Sequence, residues 1–139
     1  MKAYIDTSVL AGAYCAESGS RLAQKVLQGC EPMISNLTRL EFSSAVAKKV
    51  RAGGLAASGA TTIISEFHSH IRQGVFELLP VFEMHYTLAN EWIDSFTTGL
   101  RALDALHLSL AHSNGVVLLT ADNALAKAAG ILHATVKLI

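Results

Sequence analysis

The sequence predicts an α/β fold, a parallel sheet covered by helices on both faces, and three observations carry that prediction. Short apolar runs rich in strand formers recur along the chain, stretches of helical periodicity separate them, and Gly or Pro residues punctuate the joins. Parallel strands joined in this way need crossover connections, which are right-handed and put helices on both sides of the sheet.

Taken in order, Lys2 to Ile5 reads as a first strand ending at Asp6-Thr7-Ser8, where a helical pattern begins with Val9, Leu10 and Ala13. Arg21 to Leu27 continues helically and stops at Gly29. Pro32 to Ser35 is a second strand, after which Asn36 or Thr38 caps a long helix running through Glu41, Phe42, Val46 and Val50 to the Gly53-Gly54 break. From Ser58 to Arg72, Ile63, Ile64, Phe67 and Ile71 share one helical face. Gly74 ends that helix, and Val75 to Val81 is a third strand with Pro80 near its end. His85 to Phe96 is an amphipathic helix closing near Gly99, and Ala102 to His112 is apolar on most sides and so expected to be buried. Beyond Gly115, Val116 to Leu119 is a fully buried strand, Asp122 to Ala129 a helix, and Ala134 to Leu138 a last strand.

A chain of 139 residues fits one domain, with no internal repeat or linker. At 51% hydrophobic and 16% charged residues it is more apolar than an average soluble domain. Exposed apolar helix faces are therefore expected, and with them a homodimer or a tightly bound partner. Eleven basic and eleven acidic residues cancel, so net charge lends no support to a nucleic-acid partner. The distribution tells more. Three of the four aspartates fall at Asp6, Asp104 and Asp122, while Lys48, Lys49 and Arg51 form a basic run elsewhere. Cys15 and Cys30 have neither metal-type spacing nor the number for a disulfide framework, so reduced thiols are expected. Tyr4-Ile5-Asp6 puts a charge inside the early apolar run, which argues against a leader, and no apolar stretch reaches membrane-spanning length. The expectation is a soluble, cytoplasmic protein with no membrane partner.

In open parallel sheets the ligand crevice lies at the carboxyl ends of the strands. Asp6 follows the first strand and Asp122 follows the Val116 strand, so topology alone sends both to that crevice. Glu41 enters from the helix after the second strand, and Asp104 from the buried helix. Carboxylates held close together repel, so they take up protons or bind a cation. An all-oxygen donor set with neither thiolate nor imidazole alongside favours Mg²⁺ or Mn²⁺ over zinc, and such sites cut or transfer phosphate esters. The residues thus point to a metal-dependent nuclease.

Each acid also has a plainer explanation. Asp6 can cap the helix near Val9, although Thr7 and Ser8 are able to take that task and leave Asp6 for metal. Glu41, read as lying in the first turn of its helix, is accounted for by the helix dipole. Asp122 can cap the helix it precedes, with Thr120 and Asn123 as supporting donors at the same turn. Asp104 is the strongest single candidate, since Leu103, Ala105, Leu106, Leu108 and Leu110 surround it and an unpaired buried carboxylate costs several kcal/mol. An ion pair with Arg101 contributes only about 0.2–0.5 kcal/mol and does not offset deep burial. His107 shares a face with Asp104 and reads as a hydrogen-bonded structural histidine. Arg101 and Arg39 are candidate phosphate contacts, and Ser8 a candidate partner of a metal ligand or its water. There is no phosphate-cradling Gly-rich loop and no nucleophile elbow.

Tyr4-Ile5-Asp6-Thr7-Ser8-Val9-Leu10, Glu41, Leu100-Arg101-Ala102-Leu103-Asp104-Ala105-Leu106-His107 and Leu118-Leu119-Thr120-Ala121-Asp122 together resemble the PIN-domain family, and within it the VapC-type toxins of toxin–antitoxin pairs. The resemblance spans nearly the whole chain. It implies a three-layer α/β/α sandwich with a central, mainly parallel sheet, and a Mg²⁺- or Mn²⁺-dependent endoribonuclease. Position by position, Asp6, Glu41, Asp104 and Asp122 match the family's acidic quartet and Ser8 its hydroxyl neighbour. It further implies an RNA substrate cut to leave a 5′-phosphate and a 3′-hydroxyl, a homodimer, and a small antitoxin whose tail occupies the active groove. Two rivals stay open. One is a phosphatase using Asp6 as nucleophile, a chemistry that usually needs a second acid two residues on, where this chain has Ser8. The other is a catalytically inactive PIN-like module kept for binding.

Overall fold

The structure, a computed structural model, describes residues 1–139. Its strands are β1 (Lys2–Ile5), β2 (Glu31–Ser35), β3 (Glu77–Leu79), β4 (Val117–Thr120) and β5 (Val136–Leu138). Between them run α1 (Thr7–Tyr14), α2 (Ser20–Gln28), α3 (Asn36–Arg51), α4 (Ala57–Arg72), α5 (Glu83–Asp94), α6 (Ala102–Ser113) and α7 (Asn123–Ile131). All strand pairs are parallel, in the order β3-β2-β1-β4-β5. The expected α/β/α architecture is the one observed.

Strand pleating decides which side chains face which layer. Ala3 and Ile5 of β1 join Ile34 and Leu119 in a core with Val9, Leu10, Phe42, Val46 and Phe67 from α1, α3 and α4. Tyr4 points the other way, into a second core with Met33, Leu118, Leu108 and Leu110 of α6, and Leu125 and Ala129 of α7. Each such fully buried aliphatic or aromatic side chain contributes roughly 1.5–3 kcal/mol. The chain builds outward through β1, β2 and β3, then returns to the opposite side of β1 for β4. That reversal makes the carboxyl ends of β1 and β4 the switch point, and Asp6 sits there with its N–H on the Leu119 carbonyl at 3.0 Å.

Several boundaries differ from the sequence reading for one reason. Residues assigned to the start of a strand are still closing the preceding helix. Val75 donates to the His70 carbonyl, Val116 to Ala111 and Ala134 to Ala129. So β3, β4 and β5 begin at Glu77, Val117 and Val136. The N-cap of α3 is Ser35 rather than Asn36 or Thr38, and Thr38 instead returns the bond as the other half of a capping box. No helix is long and apolar enough to cross a membrane.

Candidate active site

Asp6 occupies the N-cap position of α1 but makes no capping bond. Its Oδ2 accepts instead from Ser8 Oγ and from Thr120 Oγ1, the latter at 2.8 Å, and the residue is only 6% exposed. The two hydroxyls also tie Asp6 to the turn after β4. Ser8 Oγ accepts from the Ala121 N–H and Thr120 Oγ1 from the Asp122 N–H, each at 3.0 Å. Asp122 Oδ1 caps α7, accepting from the Ala124 and Leu125 N–H groups at 2.8 and 3.1 Å. The cap leaves Oδ2 of Asp122 without a protein partner.

Asp104 is the third residue of α6, in its first turn. Its setting corrects the sequence reading. Leu103 is 47% exposed and Asp104 half-buried, and full burial starts only at Ala105. Arg101 is exposed and forms no ion pair with it. Asp104 therefore rests at the favourable end of a helix dipole, not deep among leucines. Its carboxyl is still held above the usual carboxylate range, first by burial and then by the negative charges of Asp6, Asp122 and Glu41, with His107 opposing. The four acids thus converge closely enough for three of them to act on the fourth. No lysine or arginine pairs with any of them.

Convergence is not the same as closure. No three histidine, cysteine, aspartate or glutamate side chains come together as a metal-holding group. Hydroxyl, amide and imidazole partners already engage one oxygen each on Asp6, Asp122 and Glu41. The set still fits a hard cation. Its donors are all carboxylate oxygens, Asp104 has no partner, and Mg²⁺ keeps several waters and needs few direct protein ligands.

A PIN-domain profile matches residues 3–131. The chain belongs to the PIN-domain family. Solved structures agree in fold. VapBC2 from Rickettsia felis, bound to a promoter DNA fragment, is 14% identical with a TM-score of 0.72, covering 100% of this chain and 99% of that one. The sarcin–ricin-loop-cleaving toxin VapC20 from Mycobacterium tuberculosis is 18% identical with a TM-score of 0.70, covering 91% and 94%. A toxin–antitoxin complex from Klebsiella pneumoniae is 16% identical with a TM-score of 0.61, covering 89% and 90%. No curated protein sequence matches significantly.

In this PIN domain Glu41 lies in the second turn of α3, which has no acid in its first, so the helix dipole does not explain it. What holds it is His107 Nε2. His107 is fully buried, and its Nδ1 meets the Tyr4 hydroxyl at 2.9 Å. Tyr4 Oη in turn meets Ser35 Oγ at 2.8 Å and Thr38 Oγ1 at 3.1 Å. The protons can be counted. For a neutral imidazole beside a carboxylate that can only accept, Nε2–H donates to Glu41 and Nδ1 accepts from Tyr4. Burial pushes the Tyr4 phenol up to about 12, which keeps it an O–H donor.

This chain of Tyr4, Ser35, Thr38 and His107 was absent from the sequence reading, apart from His107 as a structural histidine and Thr38 as a helix cap. The only available signals were a polar-tipped Tyr inside an apolar strand and a histidine three residues after Asp104. Arg39 donates to Asn36 Oδ1 at 3.2 Å and touches no acid. Arg101 stands exposed at the start of α6. Asn123, the other expected donor at the Asp122 turn, is exposed and makes no side-chain hydrogen bond.

Proposed function

We propose that this PIN domain is a Mg²⁺- or Mn²⁺-dependent endoribonuclease, the toxin of a toxin–antitoxin pair. The observation that carries the reading is Asp104, an unpartnered, half-buried carboxyl on which Asp6, Glu41 and Asp122 all press from separate elements. A folded chain has little reason to gather four acids unless a cation neutralises them. The shared fold with VapC20, a toxin that cleaves the sarcin–ricin loop, supports an RNA target, and the Klebsiella complex supports a protein antitoxin.

Asp6, Glu41, Asp104 and Asp122 would hold the ion. When bound, it lowers the pKa of a coordinated water and offsets charge on the phosphate. The rest is the work of the chain. Ser8 and Thr120 fix Oδ2 of Asp6, His107 fixes Glu41, and the α7 cap fixes Asp122, so each carboxylate presents one defined free oxygen. Arg101, exposed just before α6, would meet the phosphate, with Arg39 a weaker candidate because Asn36 engages it. Water adds to phosphorus as the bond to the 3′ oxygen breaks, leaving a 5′-phosphate and a 3′-hydroxyl. Exposed apolar side chains at Leu40, Phe82, Met84 and Tyr86 support a homodimer or a covering antitoxin.

One observation favours a second reading, an inactive binding module: no three of these side chains close into a metal-holding group. Purified protein incubated with structured and unstructured RNA in Mg²⁺, Mn²⁺ or EDTA separates the two. Cleavage with either metal, none in EDTA, and none by Asp104→Asn is the expected result. An Asp104→Asn protein that cuts as fast as the parent removes the assignment to this site.

A further inference from the structure

A cleft of about 370 Å³ adjoins the acid site, lined by the loop from Phe96 to Leu100 and by α7, with Asp104 among its walls. Phe96 is its most unusual member. It follows the C-cap of α5 with φ of +55° and donates its N–H to the Ile93 carbonyl at 3.1 Å. Glycine is the favoured residue at such a left-handed position, because a side chain there meets its own backbone. The ring is also 89% exposed, so it adds almost nothing to the core. Neither local conformation nor packing accounts for an aromatic residue here.

Around it the cleft is built to keep its shape. Ser95 Oγ donates to the Trp92 carbonyl at 2.6 Å and meets Thr97 Oγ1 at 2.8 Å, and Thr98 Oγ1 accepts from the Leu100 N–H at 3.3 Å. Across from the loop, Lys127 gives the lining its one basic side chain. A flat apolar ring, a cation, and a wall shared with Asp104 are what a nucleotide beside the scissile phosphate requires: a platform for the base and a partner for the backbone.

We propose that Phe96 stacks a nucleobase in this cleft while Lys127 meets a neighbouring phosphate, which makes this pair the groups that seat the nucleotide beside the cut. The proposal rests on the endoribonuclease reading. Binding can nevertheless be measured without cleavage, by fluorescence anisotropy of labelled mixed-sequence RNA in the Asp104→Asn background.

Adding Phe96→Gly should weaken binding of unpaired RNA roughly 5- to 150-fold, the range that base–aromatic stacking contributes. Phe96→Trp should retain it, duplex RNA should bind weakly to all three proteins, and Lys127→Gln should flatten the salt dependence. The same Phe96→Gly change should raise Tm, since it relieves the left-handed residue; stability and affinity would move in opposite directions, which a merely structural role does not produce. Equal affinity of Phe96→Gly and its parent, equal affinity for duplex and unpaired RNA, or a Phe96→Gly protein that loses a dimer in sedimentation along with its affinity would overturn the proposal. The last outcome would assign the cleft to a second copy of the chain. A parent that cuts no RNA refutes the nuclease reading, whereas these binding results decide the stacking site separately.

Discussion

At the scale of single residues, the Tyr4 hydroxyl is a group outside the quartet whose loss should be felt at Glu41. It joins His107 on α6 to Ser35 and Thr38 at the start of α3, and nothing else in the second core can donate to the buried Nδ1. Tyr4→Phe keeps the ring and its packing but leaves that nitrogen unpaired, at a cost of about 1–3 kcal/mol. It also frees the imidazole to take the other tautomer, which turns an acceptor toward Glu41. Groups that orient a metal ligand typically matter by about 10–100-fold in metal affinity or activity. Tyr4→Phe should therefore shift the urea midpoint downward and lower RNA cleavage together, and a variant with parental values of both would show that His107 does not depend on Tyr4. This link was not legible beforehand, because Tyr4 and His107 lie 103 positions apart and meet only once α6 docks against β1. The placing of Asp6 and Asp122 at one sheet edge was legible, because each follows a recognisable strand and the two strands are neighbours in the parallel sheet. Asp104 was singled out on a partly wrong ground: the leucines around it in sequence do not all surround it in space, since a helix turns each successive residue by about 100° and leaves Leu103 facing outward.

At the scale of elements, the strand and helix order followed from periodicity, while strand lengths did not, because apolar residues that close a helix look the same as those that open a strand. Val75, Val116 and Ala134 are all of this kind. The element with most at stake is α7, whose N-cap and proposed metal ligand are one residue. Two substitutions separate these duties. Asp122→Asn keeps a side-chain oxygen for the Ala124 and Leu125 amides, and Asn caps about as well as Asp, so stability should hold while cleavage falls. Asp122→Ala should lose cleavage and also roughly 1 kcal/mol of stability. If Asn supports full activity, the charge of Asp122 is not needed for catalysis and its place at the site is that of a cap alone.

At the scale of the whole molecule, a chain with no net charge brings four acids toward one sheet edge with no lysine or arginine paired to them, so its stability should respond to divalent ions more than its composition implies. The sign follows from Asp104. Its folded-state pKa is raised, so its contribution is most favourable below the ordinary carboxylate range and is lost as pH rises through the raised value. In EDTA near neutral pH, Asp104→Asn should melt at or slightly above the parent, and the gap should close in acid, where the carboxyl is protonated. Added Mg²⁺ reverses the order. At one hundred times its dissociation constant a ligand stabilises by about 2.7 kcal/mol, which for a chain of this size is roughly 10 °C in Tm. The parent should show that rise and Asp104→Asn should not, in a scan that needs no RNA and no turnover. A parent whose melting is indifferent to both Mg²⁺ and Mn²⁺ would mean that the four acids share an edge without sharing an ion, and the binding-module reading would then take precedence.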